Sequence, residues 1–159
     1  MSEIELDADA ITRLRTVICQ LSRRLNVSTP TTGLSPSAIS VLGSIAARGP
    51  LGVGEIADLE GLNATMVSRI VGKLDAAGLI DRAPDPHDRR AALLKVTTSG
   101  RRVLVRIRSE RTRALIEAIE RLEPAEAEML MDALPTLESL AAEFGVPAGL
   151  LARAGTGAS

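Results

Sequence analysis

The stretch GEIADLEGLNATMVSRIVGKL, Gly54 to Leu74, constrains this chain more than any other. Two short helices crossing at a steep angle need a small residue at the crossing and a flexible residue in the turn. They also need an apolar residue on the second helix facing the first. Ala57, Gly61 and Val67 supply these in order, at separations of four and six positions, and Ile56, Leu62 and Ile70 fill the remaining inward sites. Asn63 is placed to cap the second helix, which the pattern carries to about Ala77 before Gly78 stops it. The result is a helix-turn-helix, a shape that can lay its second helix in a major groove but that also occurs in protein-binding domains. With Val67 and Ile70 turned inward, Thr65, Ser68 and Arg69 face out. Asn63 and Ala64 lie at the leading end, and Lys73 lies a turn further on. Small hydroxyls with one guanidinium suit a groove: little bulk, donors for phosphates, and a fork for a guanine edge.

The elements around this motif follow from punctuation and periodicity. Leu79–Ala83 and Ala92–Thr97 alternate as strands around a Pro84–Arg90 loop, so a hairpin directly follows the second helix. Asp88, Arg89 and Arg90 sit at its tip, with His87 as a turn residue or phosphate neighbour. Exposed ion pairs are worth about 0–1 kcal/mol, so arginines there are either solvated decoration or face something anionic. Upstream, Leu6–Asn26 is helical, with Ile11, Leu14, Val17, Ile18, Leu21 and Leu25 as an apolar stripe, and Val27–Gly33 is a loop. Ser35 and Pro36 open a helix that stops at Gly49-Pro50. Downstream, Thr98 or Ser99 is expected to cap a helix reaching Leu122, about 36 Å long. Glu123-Pro124 opens a last helix to about Glu143, which Pro135 should kink or divide. The expected organisation is an N-terminal helix and loop over 1–33, a core over 34–98, further helices over 99–144 and a tail over 145–159. The expected fold is mainly α with a small β-hairpin.

Composition narrows the function. Phe144 is the one Phe, Tyr or Trp in the chain, so the core must be aliphatic and stacking on bases is almost excluded as a binding mode. One His and one Cys, far apart, form no dyad, and neither a glycine-rich phosphate loop nor a metal-ligand spacing is present. The expectation is therefore no enzyme, no cofactor and no metal. No apolar run approaches the ~20 residues of a membrane span, and the acidic start MSEIELDADA has no signal core, so a cytoplasmic protein is expected. Net charge is −1, but its distribution is uneven. The segment Arg82–Arg113 is strongly basic, and the chain beyond Ala114 is acidic.

The run LSPSAISVLGSIAARGPLGVGEIADLEGLNATMVSRIVGKLDAAGLIDRAPDPHDRRAALLKVTTSGRR resembles the MarR family of transcriptional regulators. Its most specific pieces are ATMVSRIVGKLDAAGLIDR and DPHDRRAALLKVTTSG, and the likeness extends from Leu6 to about Glu143. The resemblance implies a winged helix-turn-helix with N- and C-terminal dimerisation helices. It further implies a sequence-specific DNA-binding regulator, expected to be a repressor, that reads a pseudo-palindromic operator as a homodimer. The wing tip would lie along the minor groove with Arg90 reaching in, Arg89 beside it and Asp88 holding the guanidinium by an ion pair. Narrow A·T grooves attract arginine in this way. Val103, Leu104, Ile107, Leu115, Ile119 and Leu122, together with Leu130, Leu134, Leu137 and Leu140, are apolar stripes that a partner copy can cover. Family members often respond to small phenolic or amphipathic ligands. Such an effector is thus a candidate partner here, with Arg13 and Arg15 as its guessed neighbours and no binding residues assigned. One branch of the family senses peroxides through a first-helix cysteine. Cys19 opens that alternative, although the aromatic hydroxyls of that branch are missing. Arg101, Arg102, Arg106 and Arg108 either extend the phosphate-contacting face or form a solvated surface, the latter favoured from Arg106 onward. A winged-helix module that binds protein rather than DNA is the remaining alternative.

Overall fold

The computed structural model describes residues 7–27, 33–86 and 92–145. The chain divides into two compact units, Met1–Ala114 and Leu115–Ser159. In the first unit, α1 (Ala8–Val27) carries its apolar stripe as the sequence spacing requires, but Ile11, Leu14, Val17, Ile18 and Leu21 are all exposed. Helix α2 (Pro36–Arg48) begins as expected: Ser35 Oγ accepts from the Ala38 amide at 3.2 Å, and Pro36 opens the first turn. The helix buries Ala38, Ile39, Val41, Leu42 and Ile45. It closes at Gly49, where a β-carbon would stand 2.4 Å from the Ile45 carbonyl oxygen.

Leu51 then pairs with Leu94 as an isolated antiparallel bridge. The Leu51 N–H donates to the Leu94 carbonyl at 3.1 Å, and the Leu94 N–H donates back at 2.8 Å. Sequence periodicity gives no sign of this pairing, because a single residue between Pro50 and Gly52 has no pattern. Helix α3 (Val53–Glu60) follows, its start held by the Gly52 N–H on Glu55 Oε2 at 2.7 Å. Gly61 takes φ +62°, a left-handed turn that an L side chain resists, and leads into α4 (Ala64–Ala76). Gly78, at φ +67°, ends that helix.

Strands β1 (Ile80–Pro84) and β2 (Ala92–Val96) pair antiparallel, with Ile80 opposite Val96 and Arg82 opposite Leu94. The core lies among α2, α3, α4 and the hairpin. Leu42, Ile45, Ile56, Leu74, Ile80, Leu94, Val41, Val67 and Val71 are fully sealed from solvent. Each such side chain contributes about 1.5–3 kcal/mol by leaving water, so an aliphatic interior suffices without aromatics.

Helix α5 (Thr98–Ile119) starts one residue away from the expected cap. Thr97, rather than Thr98 or Ser99, does the capping, since its Oγ1 accepts from the Gly100 amide at 3.0 Å. In a Thr-Thr-Ser run every residue can cap. The choice falls on the one whose hydroxyl also reaches the Gly78 carbonyl, at 2.8 Å. Ile107 is buried, and Val103 and Leu104 pack against the core, so this end of the stripe is covered by the chain's own winged domain. The boundary between the two units falls within α5.

In the second unit, α6 (Pro124–Asp132) and α7 (Leu134–Glu143) meet at Ala133. The expected division near Pro135 is observed, with the proline in the first turn of α7, where its missing N–H has no helical partner to lose. Neither helix buries a residue, and Leu130, Leu134, Leu137, Leu140 and Phe144 are exposed. Among the described residues, no helix is long and apolar enough to cross a membrane.

Candidate nucleic-acid interface

Helix α4 is built to present one face. Asn63 Oδ1 accepts from the Met66 amide at 2.8 Å and fixes the first turn. Val67, Ile70, Val71 and Leu74 recur at helical spacing and are buried against the core. Their burial orients the opposite arc outward. Asn63, Ala64, Thr65, Ser68, Arg69 and Lys73 are all exposed, so the fold brings these six sequence-identified residues to the outer surface of one helix. Gly72 lies in the middle of that arc and Ala64 near its edge, which keeps the surface low enough for close approach. Arg69 and Lys73, four residues apart, put two cations along one side.

Sequence reasoning passed over two residues at this site. Met66 is 46% exposed at the margin of the arc, an apolar group of the kind that meets a thymine methyl in a major groove. Its place directly before Val67, at the border of the buried stripe, was the available signal. The second is Arg82, whose Nε donates to Asp75 Oδ2 at 2.7 Å and joins the last turn of α4 to β1. Both side chains are nearly half exposed, so the pair is worth no more than about 1 kcal/mol. Its effect is geometric: the base of the hairpin is held to the end of the helix.

Asp88, Arg89 and Arg90, with His87 and the expected Asp88–Arg90 ion pair, lie outside the described residues. Beyond the hairpin, Arg101 and Arg102 are exposed at the start of α5. Arg106 Nε donates to Glu110 Oε1 at 3.0 Å, so its charge is met within its own helix. Among the described residues no group of three or more His, Cys, Asp or Glu side chains is placed to hold a metal ion. Cys19 is a free thiol exposed on α1.

This fold has counterparts among known proteins. The MarR family profile matches residues 32–91, which span α2 to the hairpin. An uncharacterised HTH-type transcriptional regulator of Mycobacterium bovis is 29% identical over 140 residues, covering 88% of this chain and 98% of that protein. Among solved structures, a transcriptional regulator from Thermotoga maritima superposes with a TM-score of 0.71 at 25% identity, covering 89% of this chain and 100% of the other. A mutant of the Staphylococcus aureus protein MepR, bound to an oligodeoxyribonucleotide, shares the fold with a TM-score of 0.64 at 20% identity, covering 85% and 98% of the two chains.

Proposed function

We propose that this chain is a winged helix-turn-helix transcriptional regulator of the MarR type, acting as a homodimeric repressor on a pseudo-palindromic operator. The exposed arc of α4 enters the major groove, where Arg69 and Lys73 meet a guanine edge or phosphates and Thr65 and Ser68 approach the backbone. The hairpin runs beside it and carries Arg89 and Arg90 to the minor groove, with Asp88 steadying Arg90. The observation that carries this reading is the division of α4 into a sealed apolar face and a small, polar, cationic one. The DNA-bound MepR relative adds support, since it shares the fold.

Homodimerisation is supported by the exposed leucines and isoleucines of α1 and, separately, the exposed leucines of α6 and α7, apolar side chains of the kind a partner copy covers. A two-fold dimer sets two copies of α4 about one helical turn of DNA apart, roughly 34 Å. We assign 34–98 to DNA binding and 1–33 with 99–144 to pairing. A small amphipathic effector that favours a mis-spaced dimer would release the operator by shifting the population.

The test is selection of duplexes from random-sequence DNA, followed by titration at rising salt. The expected result is enrichment of an inverted repeat and a log–log slope near −0.9 for each phosphate neutralised. Arg90→Ala is expected to weaken binding strongly while leaving the unfolding midpoint unchanged. A wild-type protein that enriches no duplex, even at low salt, leaves the protein-binding module as the reading.

A further inference from the structure

The junction between α4 and α5 is tied more closely than chain connectivity requires. After α4, the Gly78 N–H donates to the Asp75 carbonyl at 2.9 Å and the Leu79 N–H to the Leu74 carbonyl at 2.9 Å, so this turn is welded to the helix. The carbonyls of those same two residues then accept from Thr97: Oγ1 donates to Gly78 at 2.8 Å and the N–H donates to Leu79 at 3.0 Å. On its other side Thr97 holds the first turn of α5, its Oγ1 accepting from Gly100 at 3.0 Å and its carbonyl from Arg101 at 3.0 Å. One hydroxyl therefore serves both helices, donating to the end of one and accepting from the start of the other. Gly100 completes the junction. It is buried, and a β-carbon there would stand 2.2 Å from the Leu79 carbonyl oxygen and 2.8 Å from Val96 Cγ2. Only glycine lets the first turn of α5 sit this close to the end of α4.

We propose that Thr97 and Gly100 are positioning residues that make the orientation of the DNA-reading helix α4 follow that of α5. The role rests on the DNA-binding reading given above. Helix α5 carries Leu115 and Ile116, exposed apolar residues of its outer stripe, beyond the part that packs on the winged core. A change in the pitch of α5 therefore reaches α4 through a hydrogen-bonded turn with no slack, rather than through side-chain packing alone. Coupling of this kind needs a shared rigid element, and Thr97 is the atom-level joint of that element.

The decisive comparison is Thr97→Val against Thr97→Ser and wild type, using full-length protein and a duplex enriched from random DNA by the wild type. Valine keeps the shape and branching but loses both side-chain bonds, whereas serine keeps the hydroxyl. At a temperature where circular dichroism shows all variants folded, Thr97→Val is expected to bind the enriched duplex about tenfold or more weakly. Its affinity for a scrambled duplex at low salt should be nearly unchanged, and Thr97→Ser should recover most of the loss. Val41→Ala, a core variant on α2 that takes no part in the hydrogen bonds of the junction, supplies a destabilised control that should keep the ratio of enriched to scrambled binding. Thr97→Val with wild-type affinity overturns the positioning role, as does a serine variant no better than the valine one. An equal loss on both duplexes, or the same change of ratio in Val41→Ala, also overturns it. A wild type that enriches no duplex overturns the DNA-binding reading itself and this role with it. Gly100→Ala should reproduce the Thr97→Val pattern if it folds.

Discussion

The winged segment and the outer helices use the same aliphatic alphabet to opposite effect. From α2 to the middle of α5, Val41, Leu42, Ile45, Ile56, Val67, Val71, Leu74 and Leu94 are closed off from water by their own chain. In α1, α6 and α7 the equivalent residues stand in solvent, Leu14 at 43%, Leu21 at 54% and Leu137 at 39% exposure. The first pattern describes a domain that is complete by itself. The second describes amphipathic helices whose apolar faces are left exposed, the faces that the proposed dimer would cover. If the proposed dimer forms through these faces, stability and assembly rest on different residues, and substitutions should separate them.

The sharpest break is expected from Leu14→Glu combined with Leu21→Glu. Two charges on the α1 stripe should convert a dimer into monomers by sedimentation while the winged core remains folded. Losing the second half-site should weaken operator binding by roughly 10²–10⁴-fold, the usual gain from linking two sites. If the double variant stays dimeric, the contrast between the two regions does not mark an assembly surface. Next in size is Leu42→Ala in the sealed core, which should cost about 2–5 kcal/mol in denaturant unfolding with the oligomeric mass unchanged in the folded protein. Arg69→Ala, on the outer face of the same domain, should lose about 1–3 kcal/mol of operator affinity and relax preference at one position per half-site. Its unfolding midpoint should hold. The smallest effect is assigned to Arg82→Ala, since an exposed ion pair contributes at most about 1 kcal/mol to stability. A larger shift in melting temperature would show that the α4–β1 tie does more than set geometry.

Much of this was legible in the sequence because it is local. Ala57, Gly61 and Val67 announced the helix-turn-helix by spacing alone, and Ser35 and Asn63 announced their caps by chemistry. The outer arc of α4 followed once Val67 and Ile70 were turned inward. The features that escaped depend on residues distant in sequence. Leu51 gives no strand signal because its pairing is one residue long and its partner, Leu94, lies beyond two helices and a strand. The choice of Thr97 over its neighbours was settled by the Gly78 carbonyl, and the Arg82–Asp75 pair by the turn that folds β1 back on α4. Pro135 is a middle case: the sequence indicated a division in the last helix, and the backbone sets it at Ala133.

The Leu51–Leu94 bridge has a consequence for how the molecule breathes. The amide of Leu94 is held by the α2–α3 connection instead of by the opposite strand of the hairpin. Its proton can therefore be traded for deuterium only when that connection lifts, so the root of the wing and the linker before α3 should open as one cooperative unit. Slow, matched exchange at Leu51 and Leu94 would mark that unit, and it would place the wing's anchorage in a part of the chain that precedes the wing itself.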